Sequence, residues 1–492
     1  ALSGGIDSSL VAALAVEALG AENVIGVSMP SQYSSEGSQT DAQQLVDNLG
    51  IELETLPISD VYKSMRNTLE NQFSGTEAGI AEAEIVQGKY RGPLHGIPIG
   101  IKDQFLTRGV RTTVGSNIFR DQIPDEDATI VNSLKEAGTI LLGKHNLAEF
   151  ALGGTRVHPY GTPRNPWDEE RIPGHSSSGS GIAVAASMCT AAIGEDTGGS
   201  GRIPAAMCGI VSIRPTYGRI SRNGAAAVSW SMDTASPMTK SVEDCAIVLQ
   251  TIAGHDPKDS TSSKLPVPDY RLHLKDGIRG MRVGIIKELI PPDSAHQDVR
   301  EAFQRSISTF EKLGASVLEV TVPLITLTAP IFVAICDTDG AHVHYDSIRS
   351  RALEYDGATR TRLMSASLVS AGIYNKAQQA RNVFRAQMLA ALAKTDVLLS
   401  PMSNGPPIKI GDEIADFRTK EDVIERQFGA RSFTTPYSLS SMPAISIPCG
   451  ATNEGMPIGL QIGGGPFDEA TVLKVAYAFE AETGWSSRRP QL

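Results

Sequence analysis

The sequence predicts an α/β protein built on a large mixed β-sheet. From about residue 92 onward, short apolar segments of strand length alternate with longer segments of helical periodicity. The 47 glycines and 28 prolines in 492 residues suit the many loops that such alternation needs. Apolar residues make up 41% and charged residues 20% of the chain, which is ordinary globular usage and excludes disordered and fibrous classes.

The first 75 residues are predicted to be a short βα segment with a linker. An apolar helix runs to Leu19, and a strand follows at Val24–Met29. A second helix, Asp41–Leu49, leads to a second strand, Ile51–Ile58, and residues 60–90 indicate helix, loop and helix. This segment contains only about two βα units.

Residues 76–492 are predicted to form the main domain. Its helices include Asp127–Ala137, Gln297–Leu313 and Glu469–Thr483, and residues 325–395 are mostly helical. No internal repeat and no low-complexity tract interrupts the alternation. The predicted strands are Ile97–Ile101, Thr139–Leu142, Ala191–Gly194, Arg282–Ile286, Ser316–Thr321, Val397–Ser400, Ala444–Pro448 and Gly459–Ile462.

Charge and cysteine usage narrow the classes of partner. A formal net charge of −11 gives no general attraction to nucleic acid or anionic lipid. The five cysteines are widely spaced and form no CxxC pair, which argues against a disulfide framework or a zinc ribbon. The start of the chain lacks a basic signal-peptide region, and the weakly polar run Gly181–Gly194 is too short to cross a bilayer. We therefore expect a cytoplasmic protein with no nucleic-acid or membrane partner.

Two segments rich in serine and glycine carry the candidate chemistry: GHSSSGSG at residues 174–181 and GEDTGGSGRIP at residues 194–204. A serine hydroxyl needs a neighbouring base to become a nucleophile, and it needs donors aimed at the developing oxyanion. Consecutive glycines allow successive backbone N–H groups to turn toward one point. The segment Gly198, Gly199 and Ser200 can therefore supply both the nucleophile and these donors. The same composition also suits a flexible or phosphate-binding loop.

Further motifs decide between these alternatives. GIPIGIKD at residues 96–103, CGIVSIRPTYGR at 208–219 and MPAISIPCG at 442–450 accompany the two serine segments. Together they resemble the amidase signature family, from about residue 76 to the end of the chain. The resemblance implies the amidase signature fold, in which helices cover both faces of a large twisted mixed sheet. It also implies a helical insertion at about residues 325–435 that forms a substrate funnel.

The resemblance implies a Ser–cis-Ser–Lys triad. Ser200 is the expected nucleophile, Ser176 the bridging serine in a cis peptide, and Lys102 the base. Thr197, Gly198, Gly199 and the amide of Ser200 match the oxyanion-hole positions of that family. Lys102 must be uncharged to accept a proton, so its pKa has to be lowered by desolvation or by a neighbouring cation.

Four positions depart from the family pattern. His175 and Ser178 stand where glycine is usual, Glu195 where threonine is usual, and Gly201 where a branched apolar residue is common. None of these replaces a triad member. We expect Glu195 to face solvent, although a carboxylate beside the nucleophile segment is the alternative.

Candidate substrate-binding residues are Ser177, His175 and Phe150, although His175 also fits a purely structural role. Further residues either line the acyl and leaving-group pocket or belong to the core. These are Tyr160, Met207 and Ile331.

The implied activity is hydrolysis of small linear or aryl amides through an acyl-enzyme, with carbamates (urethanes) and esters as extensions. No cofactor is expected; the expected partner is the small-molecule amide, and relatives suggest a homodimer. The first alternative is the glutaminase subunit of a tRNA amidotransferase, which needs partner subunits. The second is a fusion protein that binds a nucleotide at its N-terminal segment.

That second alternative depends on SGGIDS at residues 3–8, which resembles the pyrophosphate-binding loop of N-type ATP pyrophosphatases. With MPSQYSS at 29–35 it is similar to the opening of an NAD synthetase. The similarity ends near residue 62, and the later substrate and metal positions of that family are missing. A truncated segment that serves as a structural cap is the competing interpretation.

One other segment, Cys336–Asp346, contains side chains that bind metals in other proteins. On a helix, His342 and His344 would point in different directions, so they could ligate one ion only from an extended chain. We expect no metal site. The GxSxG nucleophile elbow of α/β-hydrolases is also absent.

Overall fold

The computed structural model describes residues 6–30, 36–56, 75–153, 158–411, 419 and 432–491. The chain divides into two compact units, Ala1–Gly88 and Lys89–Leu492. The division lies after the predicted boundary at residue 75, because the helix Glu77–Val86 groups with the first unit.

The first unit is small. Helices α1 (Ile6–Leu19), α2 (Glu36–Leu49) and α3 (Glu77–Val86) accompany strands β1 (Ile25–Ser28) and β2 (Glu52–Thr55), which pair in parallel. The pyrophosphate-loop residues 3–5 and most of the segment at 29–35 lie outside the described residues. The cluster of buried apolar residues in this unit comprises Ala12, Ala42, Val46 and Ile51.

The second unit contains a ten-stranded sheet in the order β4-β3-β5-β7-β6-β11-β12-β10-β8-β9. Pairing is parallel toward both edges, from β5 through β3 to β4 and from β10 through β8 to β9, and it is antiparallel in between. The predicted mixed sheet is therefore confirmed. The strands are β3 Pro98–Lys102, β4 Ile140–His145, β5 Ala191–Glu195, β6 Val211–Arg214, β7 Ala235–Thr239, β8 Arg282–Ile286, β9 Ser316–Val320, β10 Val397–Pro401, β11 Ala444–Ala451 and β12 Pro457–Gly463.

Helices cover both faces of the sheet, as predicted. Successive side chains of a strand point to opposite faces, and on β5 Ile193 and Ala192 belong to two different buried clusters. The Ile193 cluster includes α7 (Val242–Ile252), α8 (Gln297–Lys312) and α14 (Glu469–Thr483). The Ala192 cluster includes α5 (Ser178–Ala185) and α6 (Arg202–Cys208). The helix α4 (Thr129–Glu136) also belongs to the first of these clusters.

The stretch predicted to be helical is helical. It comprises α9 (Thr328–Val343), α10 (Tyr345–Arg351), α11 (Gly357–Ala366) and α12 (Ala371–Leu392), and α13 (Thr435–Ser440) follows later. Side-chain oxygens of Asp356 and Ser370 accept hydrogen bonds from backbone N–H groups in the first turns of α11 and α12, which satisfies donors that have no partner within a helix. Residues 412–418 and 420–431 of the predicted insertion lie outside the described residues.

Two side chains of the segment at 336–346 that could bind a metal have partners within the fold. Asp337 forms an ion pair with Arg362 at 2.5 Å, and His344 Nδ1 is 3.1 Å from the hydroxyl oxygen of Tyr355. Throughout the described residues, no group of three or more His, Cys, Asp or Glu side chains is arranged to hold a metal ion. Of the helices described here, none has the length and apolar character needed to cross a membrane.

Candidate active site

Two neighbouring parallel strands bring charged side chains to one edge of the sheet. Lys102 ends β3 and Glu195 ends β5, and the register pairs Ile99 with Ala191 and Ile101 with Ile193. The carboxyl ends of these strands therefore lie side by side, which is where α/β proteins commonly place functional groups.

Ser176 meets Lys102 at this edge. The Lys102 Nζ lies 2.8 Å from the Ser176 Oγ, although 74 residues separate them in sequence, and neither residue is exposed to solvent. Ser176 precedes α5, and the peptide bond between His175 and Ser176 is cis. The structure thus brings together two of the three residues predicted to carry the reaction.

Ser200 lies next to this pair on the loop that follows β5. Its carbonyl oxygen accepts a hydrogen bond from the Ser177 N–H at 3.2 Å, and its side chain is half-buried. The Ser177 hydroxyl donates to the Glu195 carbonyl and accepts from the Glu195 N–H, both at 3.1 Å. These bonds join the two serine segments, and Ser177 is fully buried. Its contact with substrate stays a prediction.

Gly199 allows the nucleophile loop to turn. Its φ of +119° lies in a region that side chains with a Cβ rarely adopt, and a Cβ there would lie 2.5 Å from the Thr434 Oγ1. The Thr434 hydroxyl in turn donates to the Gly198 carbonyl at 2.6 Å. A residue 236 positions later in the chain than Gly198 therefore holds this loop in place.

Asp196 organises the same loop from inside. Its carboxylate accepts hydrogen bonds from the N–H groups of Gly199 at 2.8 Å, Gly201 at 3.3 Å and Arg202 at 3.2 Å. The guanidinium of Arg202 adds two contacts at 2.9 Å, and Arg214 lies 3.4 Å away. Burial alone would raise the pKa of Asp196, but the two arginines hold it well below its usual range.

Asp196, Arg202 and Thr434 are site residues to which the sequence analysis gave no role. Asp196 and Arg202 lie in the same glycine-rich segment as Ser200. An acidic and a basic residue within such a segment could have indicated an ion pair that holds the loop. Thr434 has no comparable signal in the sequence, because its contact joins residues more than 200 positions apart.

The four amides predicted for the oxyanion hole differ in whether their N–H groups already have a hydrogen-bond acceptor. The Gly199 N–H already donates to Asp196 and so does not face the site, contrary to the prediction for that residue. The N–H groups of Thr197, Gly198 and Ser200 meet no acceptor among the described residues. Three neighbouring donors on one short loop are what a developing oxyanion requires.

Glu195 does not face solvent, and that prediction was wrong. The residue is 1% exposed, its Oε2 lies 3.4 Å from the Lys102 Nζ, and its Oε1 accepts from the Thr197 hydroxyl at 2.7 Å. Burial raises the pKa of Glu195, and burial also lowers the pKa of Lys102, although the nearby carboxylate opposes the second shift. A lysine that has lost solvent favours the free amine, which is the form that accepts a proton.

The other candidate pocket residues occupy different places. Phe150 is 3% exposed and packs against the rings of His344 and Tyr355 at centroid distances of 4.3 and 5.4 Å, so it belongs to the core. The Tyr160 hydroxyl donates to the Ser116 carbonyl at 3.1 Å. His175 is half-buried beside Ser176. The last two candidates also differ: Ile331 is buried in the same core as Phe150, and Met207 is half-buried.

Two serines, a buried lysine and a loop of unpaired amides form a set that can perform acyl transfer. The family model described as amidase matches residues 63–473 of the chain. The chain belongs to the amidase signature family. Its fold is the one predicted, and its first residues, 1–91, match the family model described as NAD synthase.

Relatives of this amidase carry more than one name. One subunit of the glutamyl-tRNA(Gln) amidotransferase of Syntrophobacter fumaroxidans is 42% identical over 457 residues, which cover 86% of this chain and 92% of the relative. The crystal structure of the same subunit from Thermotoga maritima is 35% identical with a TM-score of 0.69, covering 78% of this chain and 83% of that one. The peptide amidase of Stenotrophomonas maltophilia is 29% identical with a TM-score of 0.72, covering 84% and 88%.

Proposed function

We propose that this amidase hydrolyses a carboxamide C–N bond through an acyl-enzyme on Ser200. The observation that carries the proposal is the buried hydrogen bond of 2.8 Å between the Lys102 Nζ and the Ser176 Oγ, beside the loop that bears Ser200. Burial lowers the pKa of Lys102, so the amine can act as a base.

In the proposed reaction, Lys102 takes the Ser176 proton while Ser176 takes the Ser200 proton. The Ser200 Oγ attacks the carbonyl carbon, and the amides of Thr197, Gly198 and Ser200 stabilise the oxyanion. The relay then returns a proton to the leaving nitrogen as the C–N bond breaks and the amine departs. Water, deprotonated by the same relay, attacks the acyl-enzyme and releases the carboxylic acid and free Ser200.

For the substrate, we propose the side-chain amide of glutamine first, with glutamate and ammonia as products. The support is the name shared by the relatives that are about 40% identical over most of this chain, each of which is one subunit of a tRNA amidotransferase. That name implies an assembly that acts on a tRNA, which weighs against the expectation that no nucleic acid is involved.

Small linear or aryl amides, with carbamates and esters as extensions, are the second candidate. The observation in its favour is the similarity to a peptide amidase across most of both chains. A cytoplasmic location is proposed for either activity, because none of the five cysteines is in a disulfide.

The first experiment treats the purified chain and its Ser200→Ala variant with a fluorophosphonate serine probe and measures intact mass. We expect one adduct on the wild type and none on the variant. An adduct on both proteins, or on neither, would contradict the role of Ser200.

A second assay separates the substrates by measuring ammonia released from glutamine and amine released from a hexanoyl anilide. Release from glutamine alone supports the glutaminase proposal. Rapid cleavage of the anilide by the isolated chain, with glutamine untouched, supports the second candidate. Ser200→Ala serves as the blank for both reactions.

A further inference from the structure

We propose that Glu195 is a positioning residue that sets the pH above which Lys102 can serve as the base for Ser200. This inference rests on the proposed function, because it concerns the same lysine. It adds a residue for which the family resemblance gives no role, since threonine is usual at that position.

The geometry makes Glu195 the immediate counter-charge of Lys102. The Glu195 Oε2 lies 3.4 Å from the Lys102 Nζ, and the two side chains are 2% and 0% exposed. An opposite charge this close favours the ammonium form of a lysine, and burial leaves little water to screen it. The ammonium has no lone pair with which to accept a proton, so an ionised Glu195 delays the appearance of the base as pH rises.

The Thr197 hydroxyl links Glu195 to a second buried carboxyl, Asp233, and the proximity of Lys102 makes Glu195 the ionised one of the two. The Thr197 hydroxyl lies 2.7 Å from the Glu195 Oε1 and 2.8 Å from the Asp233 Oδ1. One hydroxyl has one proton, so both contacts are hydrogen bonds only if one of the carboxyls carries a proton of its own. Burial raises the pKa of both carboxyls, that of Asp233 to about 7. Lys102 lies 3.4 Å from Glu195 and favours the ionised form of that carboxyl, so we place the proton on Asp233.

The other ionised carboxylate on this side of the site, Asp196, is paired with arginines. Asp196 is held by Arg202 and Arg214, with Arg202 contacts at 2.9 Å. Asp196 and Asp233 also favour the charged form of Lys102, but Glu195 has the largest effect and lies in contact with it.

The titratable groups on the neighbouring strand β4 are likewise either uncharged or paired. His145 pairs in register with Lys102, and burial lowers its pKa to about 4, so it is uncharged near neutral pH. Asp103 faces Lys144 at 3.4 Å.

Protons can reach this cluster from solvent. Glu195 and Asp233 line a cavity of about 190 Å³, whose wall also includes the exposed residues Trp230 and Lys258. The buried pair can therefore exchange its proton with bulk water through the cavity, and the reactivity of Ser200 will follow the bulk pH.

The test measures the rate constant of fluorophosphonate labelling of Ser200 between pH 5 and 10, by intact mass. We expect labelling of the wild type to rise with pH as Lys102 loses its proton. In Glu195→Gln, which keeps the side-chain shape, the midpoint of this rise should move about 1–3 pH units lower. Glu195→Thr should move it in the same direction, and Glu195→Asp should keep it near the wild-type value.

Asp233→Asn is the matched control, because it neutralises a carboxyl of the same cluster that does not contact Lys102. Its midpoint should move clearly less than that of Glu195→Gln, because Asp233 acts on Lys102 without contacting it. If Glu195→Gln does not fold, Glu195→Thr decides the question.

Unmoved midpoints in both neutral Glu195 variants, with Ser200 still labelled, would overturn the role of Glu195 alone. An equal shift in Asp233→Asn would do the same. Absence of labelling in the wild type would instead remove the proposed function, and the role of Glu195 with it.

Discussion

Both units of this chain contain a pair of parallel strands with helices beside them, yet only one buries charged groups at the strand ends. In the first unit, β1 and β2 end at Ser28 and Thr55, and Thr55 is exposed. In the second, β3 and β5 end at Lys102 and Glu195, which are almost completely buried. The comparison shows that the local βα pattern does not make a site; the layers around the strand ends do, because they remove water from charged groups.

The two units also differ in how completely they bury their apolar side chains. In the first unit, the apolar side chains of Leu10, Val11 and Leu14 on α1 are 55–66% exposed. In the second, the central strands are buried along both faces, as the wholly buried β10 and β12 show. A two-stranded sheet has too few neighbours to cover both of its faces.

The largest expected difference between the units concerns catalysis. Ser200→Ala should lower the rate of amide hydrolysis by about 10⁴-fold or more, because the nucleophile is lost. Ser28→Ala, a serine at the end of a strand in the first unit, should leave the rate within about twofold of the wild type. The rate is measured as product release at saturating substrate. Comparable losses of rate in the two variants would contradict the conclusion that only the second unit carries the reaction.

The next effect concerns buried charge. Asp196→Asn should lower the free energy of unfolding by about 3–5 kcal/mol at neutral pH, because it leaves Arg202 and Arg214 without their carboxylate. Asp47→Asn in the exposed face of α2 should change it by less than about 0.5 kcal/mol. Urea unfolding followed by fluorescence and circular dichroism measures both.

The pH dependence of the Asp196 effect has a definite sign. The pKa of this carboxyl is lowered in the folded state, so its stabilisation is present above the pKa of an unfolded aspartate, near 4. It is lost as the pH falls from there through the folded pKa. The gap between wild type and Asp196→Asn should therefore narrow below about pH 4, and a constant gap down to pH 2 would contradict the pairing.

The smallest contrast compares apolar side chains. Ile445→Ala in β11 should cost about 2–5 kcal/mol, because it leaves a cavity at a fully buried position. Leu14→Ala in α1, at a position 55% exposed, should cost less than about 0.5 kcal/mol. Similar shifts in the unfolding midpoint for the two variants would show that α1 is covered in solution.

Much of the fold was predictable because its strands are apolar and separated by loops. β8, β10 and β12 were found close to their observed bounds for that reason. β6 and β7 were missed. β6 alternates apolar and polar residues over only four positions, which is at the short limit for recognition, and β7 has the sequence ASPMT without an apolar pattern.

The site divides in a similar way. Lys102, Ser176 and Ser200 were predicted from motifs, and the structure places the first two in direct contact. The position of Glu195 could not be inferred, because whether a carboxylate at a strand end faces water depends on what covers that edge. Its link to Asp233 through the Thr197 hydroxyl forms only after the chain has folded, because Asp233 lies 36 residues beyond Thr197 in sequence.

The strand order has a consequence for how the chain is made. One half of the sheet, from β4 to β6, comes from residues 98–239, whereas the strand that pairs with the outer side of β6 is β11, which starts at Ala444. A ribosome adds about 5–20 residues per second, so roughly 10–50 s pass between the synthesis of β6 and that of its partner β11. During that time its open edge is available to strands of other chains, so an early chaperone contact at β6 would protect the nascent protein from aggregation.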